Sequence, residues 1–247
     1  MDNKGHILLK RSLNNFKAGF CILNAKFIDP NKENLIFHRE EKMFYQNLKF
    51  DKRKESYLIG RIAAKKAVLE ILLTDECIKS FSVEFGIFKF PVVKYLRNQN
   101  IQVSISHRNN FGIALAFPEE HPMGLDIEKI DENRINSIEN MMRNKEFSLI
   151  NSCSLSKKVG VTILWTLKES LSKLLKTGLM LDFKILEIES ICNAGDMYLS
   201  TFRYFYQYKA YSKKIDDYII SIVLPKNTHC DLSDFWNVVE YSILNDC

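Results

Sequence analysis

Two acids standing two residues apart, Asp126 and Glu128 in GLDIEKI (124–130), are the first residues whose spacing could do chemistry. On a strand, alternation puts both carboxylates on one face while Leu125 and Ile127 point to the other. Paired carboxylates repel unless a proton or a cation resolves them, and Mg²⁺ does so with one or two carboxylates plus substrate phosphates. A solvated edge strand with acidic side chains is the plainer alternative. In ILWTLKESLSKLL (163–175), Trp165, Glu169 and Lys173 recur at i, i+4 and i+8, so a helix lines them up as one stripe with Lys168 beside it. The stripe reads either as a surface Glu169–Lys173 pair, stabilising by about 0.3–0.5 kcal/mol, or as a metal ligand or base beside a phosphate-clamping lysine. The third element is SISHRNN (104–110), where Ser106 and His107 end a strand. There His107 could donate to a phosphate oxygen or be satisfied within a turn.

Holding these groups requires elements, and the hydrophobic pattern supplies a repeated set. A strand-like segment AGFCILNAKFI (18–28) precedes a helix over 55–73, and MGLDIEKI (123–130) precedes a helix over 163–175. The first set closes with VSISHRNNFGIALAF (103–117), the second with DYIISIVL (217–224). With PEEHP (118–122) as a turn-like seam, the expected class is α+β, built from two similar α+β halves over residues 1–119 and 120–247. One continuous α+β domain is the competing architecture. Residues 131–158 read as a polar, helical insertion, TFRYFYQYKAY (201–211) as a half-exposed hairpin, and the tail after Pro225 carries no obvious chemistry.

Composition narrows the function classes. Of 247 residues, 46% are hydrophobic and 26% charged, which supports a sizeable core and excludes a mainly disordered or fibrous chain. No run approaches the ~18 apolar residues of a membrane span, and MDNKGHILLKRSLNN lacks the apolar stretch of a signal peptide; the expected location is cytoplasmic. The six cysteines are scattered without ligand-like spacing, so free thiols are expected rather than zinc or disulfides. A net charge of +5 suits a phosphate-rich small molecule or an acidic protein partner.

Taken in order, SISH (104–107), GLDIE (124–128) and WTLKESLSK (165–173) resemble the three motifs of the Sfp-type 4′-phosphopantetheinyl transferases. The resemblance extends to ESYLIGRIAAKK upstream and to KTGL (176–179) after the second helix, covering about residues 50–225. It implies a pseudo-dimer of two α+β halves with the active site between them. It also implies transfer of the phosphopantetheine arm of coenzyme A to a serine of an acyl or peptidyl carrier protein, with release of adenosine 3′,5′-bisphosphate. A non-catalytic protein that binds coenzyme A or a carrier on the same scaffold is the alternative.

The residue roles that the resemblance implies follow the motifs. Asp126, Glu128 and Glu169 would hold Mg²⁺ or Mn²⁺, Glu169 in preference to a metal-held water would take the serine proton, and Lys173 would touch the pyrophosphate. Coenzyme A would contact Lys52, Lys65, Ser106, His107, Asp126 and Lys173, with Lys89 in GIFKFPVVK standing near the family's adenine-binding lysine. Where the family has paired phenylalanines before a glutamate, Met141 and Met142 precede Glu146, a pair suited to carrier docking or to core filling. Apolar residues near Met141, Leu174 and Leu179 would complement steering of an acidic carrier. A monomer is expected, with no nucleic-acid or membrane partner.

Overall fold

The computed structural model describes residues 3–29, 33–72, 76–96 and 100–245, and divides into two compact units. Unit 1 comprises Met1–Pro122 and Thr228–Cys247; unit 2 comprises Met123–Asn227.

Unit 1 opens with an antiparallel pair, β1 (Lys4–Lys10) and β2 (Asn15–Asn24), followed by the short helix α1 (Glu33–Ile36) and by α2 (Arg39–Gln46) and α3 (Asp51–Leu69). A small hairpin of β3 (Ser82–Phe85) and β4 (Pro91–Lys94) precedes the longer hairpin of β5 (Ile101–Arg108) and β6 (Phe111–Pro118). The main sheet has the order β1-β2-β6-β5. Helix α3 packs across it through Ala63, Ala64 and Ala67, all fully buried. Small residues on the helix let the backbones approach, and Gly19 completes the contact: a Cβ there would stand 2.0 Å from the Ala67 carbonyl oxygen.

Unit 2 repeats this frame. Strand β7 (Gly124–Lys129) is followed by α4 (Glu132–Glu139), α5 (Asn144–Ser152) and α6 (Lys157–Leu174). Two antiparallel hairpins complete it, β8 (Ile188–Ala194) with β9 (Met197–Phe202) and β10 (Tyr208–Ile215) with β11 (Tyr218–Pro225). The sheet order is β7-β11-β10-β9-β8, so β7 lies beside the last strand of its unit as β2 lies beside β6. Helix α6 crosses β7 and β11, and a Cβ on Gly124 would stand 2.0 Å from the Ser170 carbonyl oxygen, the counterpart of the Gly19 contact.

A buried lysine locks each helix in place. In unit 1, Lys65 on α3 donates to Glu41 on α2 at 2.5 Å and to the Phe81 carbonyl at 2.7 Å, and Glu41 accepts the Val83 amide at 2.8 Å. In unit 2, Lys168 on α6 donates to Glu146 on α5 at 2.8 Å and to the Phe183 carbonyl at 2.9 Å, while Glu146 accepts the Ile188 amide at 2.9 Å. Each glutamate also accepts the backbone amide of its helix's capping residue, His38 or Arg143. Burial lowers the proton affinity of both lysines while the paired carboxylate raises it. A fully buried charge is tolerated only with such a set of partners.

The structure revises several expectations. The seam falls at 122/123 rather than 119/120, and the segment from Thr228 onward returns to unit 1 instead of finishing the second half at 247. The cause is α7 (Ser233–Leu244), whose Phe235, Trp236, Val239 and Ile243 are buried and whose helix packs on β1 and β2. The helix read over 55–73 begins earlier, at Asp51, and ends at Leu69; residue 73 lies outside the described residues. The insertion over 131–158 is two helices, α4 and α5, with the start of a third. Among the described residues the cysteines are free thiols, and no helix is long and apolar enough to cross a membrane.

Candidate active site

Strand β7 and helix α6 bring the acidic motif together within unit 2. Asp126 and Glu128 share a face of β7 and stand opposite Ser221 and Ile219 of β11. Leu125 and Ile127 point to the other face and are buried. Asp126 is itself only 4% exposed, which removes the solvated-edge reading for that residue. From α6, Lys173 donates to Asp126 Oδ1 at 2.7 Å and Trp165 donates its indole N–H to Glu128 Oε1 at 3.2 Å. Arg134, on α4, donates to Glu128 Oε2 at 2.8 Å. The helix meets the strand closely here because its inner face is polar and small. Thr166 and Ser221 hydroxyls bond at 2.7 Å, and the Ser170 hydroxyl donates to the Ser221 carbonyl at 3.0 Å.

Glu169 belongs to this cluster electrostatically. Burial, reinforced by the Asp126 and Glu128 carboxylates, raises its carboxyl from the ordinary 4.5 to about 7, against the opposing pull of Lys173 and Arg134. A half-buried acid raised chiefly by burial, and further by two neighbouring carboxylates, is a common feature of functional sites. The surface-pair reading of Glu169 and Lys173 therefore gives way: the ammonium of Lys173 bonds Asp126 across to the strand.

Whether these acids suit a divalent ion is decided by donor type and charge. All three are hard oxygen donors, the type a divalent ion takes, and three carboxylates side by side call for positive charge. Lys173 and Arg134 supply that charge in this conformation, each on one of the strand carboxylates. Among the described residues no group of three or more His, Cys, Asp or Glu is arranged so that it could hold a metal ion. In donor type alone the acids suit a hard divalent ion, which would have to displace Lys173 and Arg134.

The remaining candidates lie in unit 1. Lys52 is exposed on the first turn of α3 and lines a cavity of about 370 Å³ with Ile28, Tyr45, Lys54, Leu58 and Ile59. Ser106 is buried and His107 exposed, both near the end of β5. Lys89 is exposed in the turn between β3 and β4, in the left-handed region with φ 63°. Lys65 is the correction: with 0% side-chain exposure and its ammonium on Glu41, it cannot reach a phosphate from outside. Within the basic run DKRKESYLIGRIAAKK, helical rotation turns Lys65 into the core. Of the methionine pair, Met142 is buried in the unit 2 core and Met141 is exposed; the side chain of Leu179 lies outside the described residues.

Sequence reasoning missed Arg134 and the partner of Trp165. Arg134 sits six residues beyond Glu128, too far along the chain for a local rule to pair them. Glu146 and Lys168 were visible only as the repeat of a capping residue, a glutamate three positions on, and a helical lysine later.

A family model for the 4′-phosphopantetheinyl transferase superfamily matches residues 122–223, which span the whole acidic cluster. The holo-[acyl-carrier-protein] synthase of Mycoplasma capricolum subsp. capricolum is 33% identical over 105 residues, covering 41% of this chain and 93% of that protein. The chain belongs to the 4′-phosphopantetheinyl transferase superfamily. A second such synthase, from Mycoplasma mycoides subsp. mycoides SC, is 32% identical over 105 residues, with 41% of this chain and 93% of that protein covered. Among solved structures, the holo-(acyl-carrier-protein) synthase of Bacillus anthracis in complex with CoA (3′,5′-ADP) aligns with TM-score 0.39 and 19% identity over 45% of this chain and 96% of that one. The Thermotoga maritima holo-[acyl-carrier-protein] synthase aligns with TM-score 0.37 and 21% identity, over 49% and 72%.

Proposed function

We propose that this chain transfers the 4′-phosphopantetheine arm of coenzyme A to a serine hydroxyl of an acyl or peptidyl carrier protein, releasing adenosine 3′,5′-bisphosphate. The observation that carries this reading is the cluster of Asp126, Glu128, Glu169 and Lys173, assembled inside the region shared with holo-[acyl-carrier-protein] synthases.

Asp126, Glu128 and Glu169 would hold the divalent ion, Mg²⁺ or Mn²⁺. When bound, it neutralises the acids and polarises the pyrophosphate. Lys173 then exchanges Asp126 for a pyrophosphate oxygen and offsets charge developing on the leaving group. Glu169 accepts the proton of the attacking serine hydroxyl, which is too weak an acid to ionise unaided. Coenzyme A contacts are proposed for Lys52, Lys89, Ser106 and His107, without Lys65. One chain carries both halves of the repeated frame, which favours a monomer. The presence of every acid and of Lys173 favours an enzyme over a binding protein on the same scaffold.

Chromatographic detection of adenosine 3′,5′-bisphosphate tests the reading. Incubation with coenzyme A, Mg²⁺ and an apo carrier is expected to release it in amounts equal to the carrier modified. Release that proceeds equally without a carrier would instead mark a coenzyme A hydrolase.

A further inference from the structure

We infer that Trp165 is a positioning residue for the metal ligand Glu128: its indole N–H sets the carboxylate, and its ring is held by a brace anchored in the buried lysine clip. This rests on the metal reading above and adds to it a residue that touches neither ion nor substrate.

A continuous chain of contacts carries the inference. Lys168, locked by Glu146, donates to the Phe183 carbonyl at 2.9 Å and so fixes the backbone of Phe183. The Phe183 ring stacks on Trp165 with centroids 5.1 Å apart and planes 15° from parallel. Trp165, 7% exposed, then aims Nε1 at Glu128 Oε1 at 3.2 Å. With Arg134 on Oε2 at 2.8 Å, the indole on Oε1 fixes the second oxygen and so the rotation of the group, as outer-shell partners of metal ligands do.

Unit 1 supplies an internal control. The lysine clips and the two glycine–carbonyl contacts put Lys65 in register with Lys168 and Gly19 with Gly124. Three residues before the lysine stands Ile62, where unit 2 has Trp165; four after the glycine stands Leu23, where unit 2 has Glu128. Both Ile62 and Leu23 are buried, and Phe81 keeps the place of Phe183. The same frame is filled by an aliphatic pair where no carboxylate is present. Packing alone does not call for an indole at this position; the N–H is matched to the acid.

Two measurements on the full chain test this. Trp165→Phe keeps a ring against Phe183 but removes the donor. Binding of Mn²⁺, followed by the loss of its free-ion electron paramagnetic resonance signal, is expected to weaken roughly tenfold in a protein that still unfolds in one cooperative transition. Separately, Trp236→Phe leaves Trp165 as the one tryptophan of the two in the chain. Since the Trp236 indole nitrogen is buried without a hydrogen-bond partner among the described residues, this change strands no acceptor. In that variant, saturating Mg²⁺ is expected to shift the emission as charge on Glu128 is neutralised. Equal Mn²⁺ affinity in the Trp165→Phe protein, or an emission unmoved by Mg²⁺, overturns the inference while leaving the metal reading intact. Failure of the parent protein to bind Mn²⁺ overturns both, and loss of binding in Asp126→Ala alone sustains only the metal reading.

Discussion

The two units solve the same packing problem with the same parts and differ where chemistry is placed. Both lay a long helix across a strand at a glycine, and both lock the helix with a buried lysine held by the N-terminal glutamate of a preceding helix. In register, unit 2 has Asp126, Glu128, Trp165, Glu169 and Lys173 where unit 1 has Cys21, Leu23, Ile62, Lys66 and Glu70. The packing parts are therefore retained in both units, while the acidic cluster sits in one. A residue's part in the frame and its part in the site can be separated by asking whether the other unit keeps it.

Substitutions at paired positions sharpen or break this comparison. Replacing Asp126 with Ala is expected to lower transfer by about 10³-fold or more, the scale of several kcal/mol of charge stabilisation, whereas Cys21→Ala leaves turnover intact. Comparable activity loss from both, measured as initial rates of carrier modification, would erase the distinction. Next in size are the clips. Lys65→Met and Lys168→Met each leave a buried glutamate without its cation and are expected to cost about 3–5 kcal/mol in denaturant unfolding. A silent result in either unit breaks the structural half of the comparison.

Opposite pH dependences follow from the buried titrating groups. In unit 2 the carboxyl of Glu169 is raised from 4.5 to about 7, so the folded metal-free protein holds a proton that the unfolded chain releases. Its contribution to stability falls as pH rises from about 4.5 to 7, on the order of 2 kcal/mol after allowance for partial exposure. In unit 1, burial lowers His121, whose Nε2 lies 2.8 Å from the Thr228 hydroxyl, from 6.5 to about 4. The unfolded chain takes up that proton first, so stability is lost as pH falls from about 6.5 towards 4. Between about pH 4.5 and 6.5 the two slopes oppose each other, so melting midpoints of the metal-free protein are expected to fall more steeply with rising pH in His121→Asn and to rise with pH in Glu169→Gln. Identical profiles in parent and variants would contradict both assignments.

The smallest expected effect lies on the surface. Glu70 holds the position matched to Lys173 and pairs with the exposed Lys4 at 2.6 Å. Glu70→Ala is expected to cost less than about 1 kcal/mol in unfolding and nothing in transfer rate, while Lys173→Ala depresses transfer.

Much of the site was legible because its logic is local. Alternation on β7 put Asp126 and Glu128 on one face, and helical periodicity put Trp165, Glu169 and Lys173 on one stripe. What stayed hidden depends on distant partners. Lys65 looks like part of a basic surface until Glu41, 24 residues earlier, is brought beneath it. Arg134 reveals its role only when α4 folds back onto β7. Strand β1 was missed because GHILLK has little alternation to mark it, and its backbone is satisfied by β2. Helix α7 carries a helical pattern in Phe235, Trp236, Val239 and Ile243, but nothing local says that it returns to unit 1.

Intact-mass spectrometry of a purified apo carrier, incubated with this protein and coenzyme A, tests the central claim most directly. With Mg²⁺, the carrier is predicted to gain one phosphopantetheine on a single serine. With a chelator, or with Asp126→Ala in place of the parent protein, it is predicted to gain none. An unmodified carrier across acyl and peptidyl types in the presence of Mg²⁺, or modification that persists undiminished in the chelator, would contradict the account.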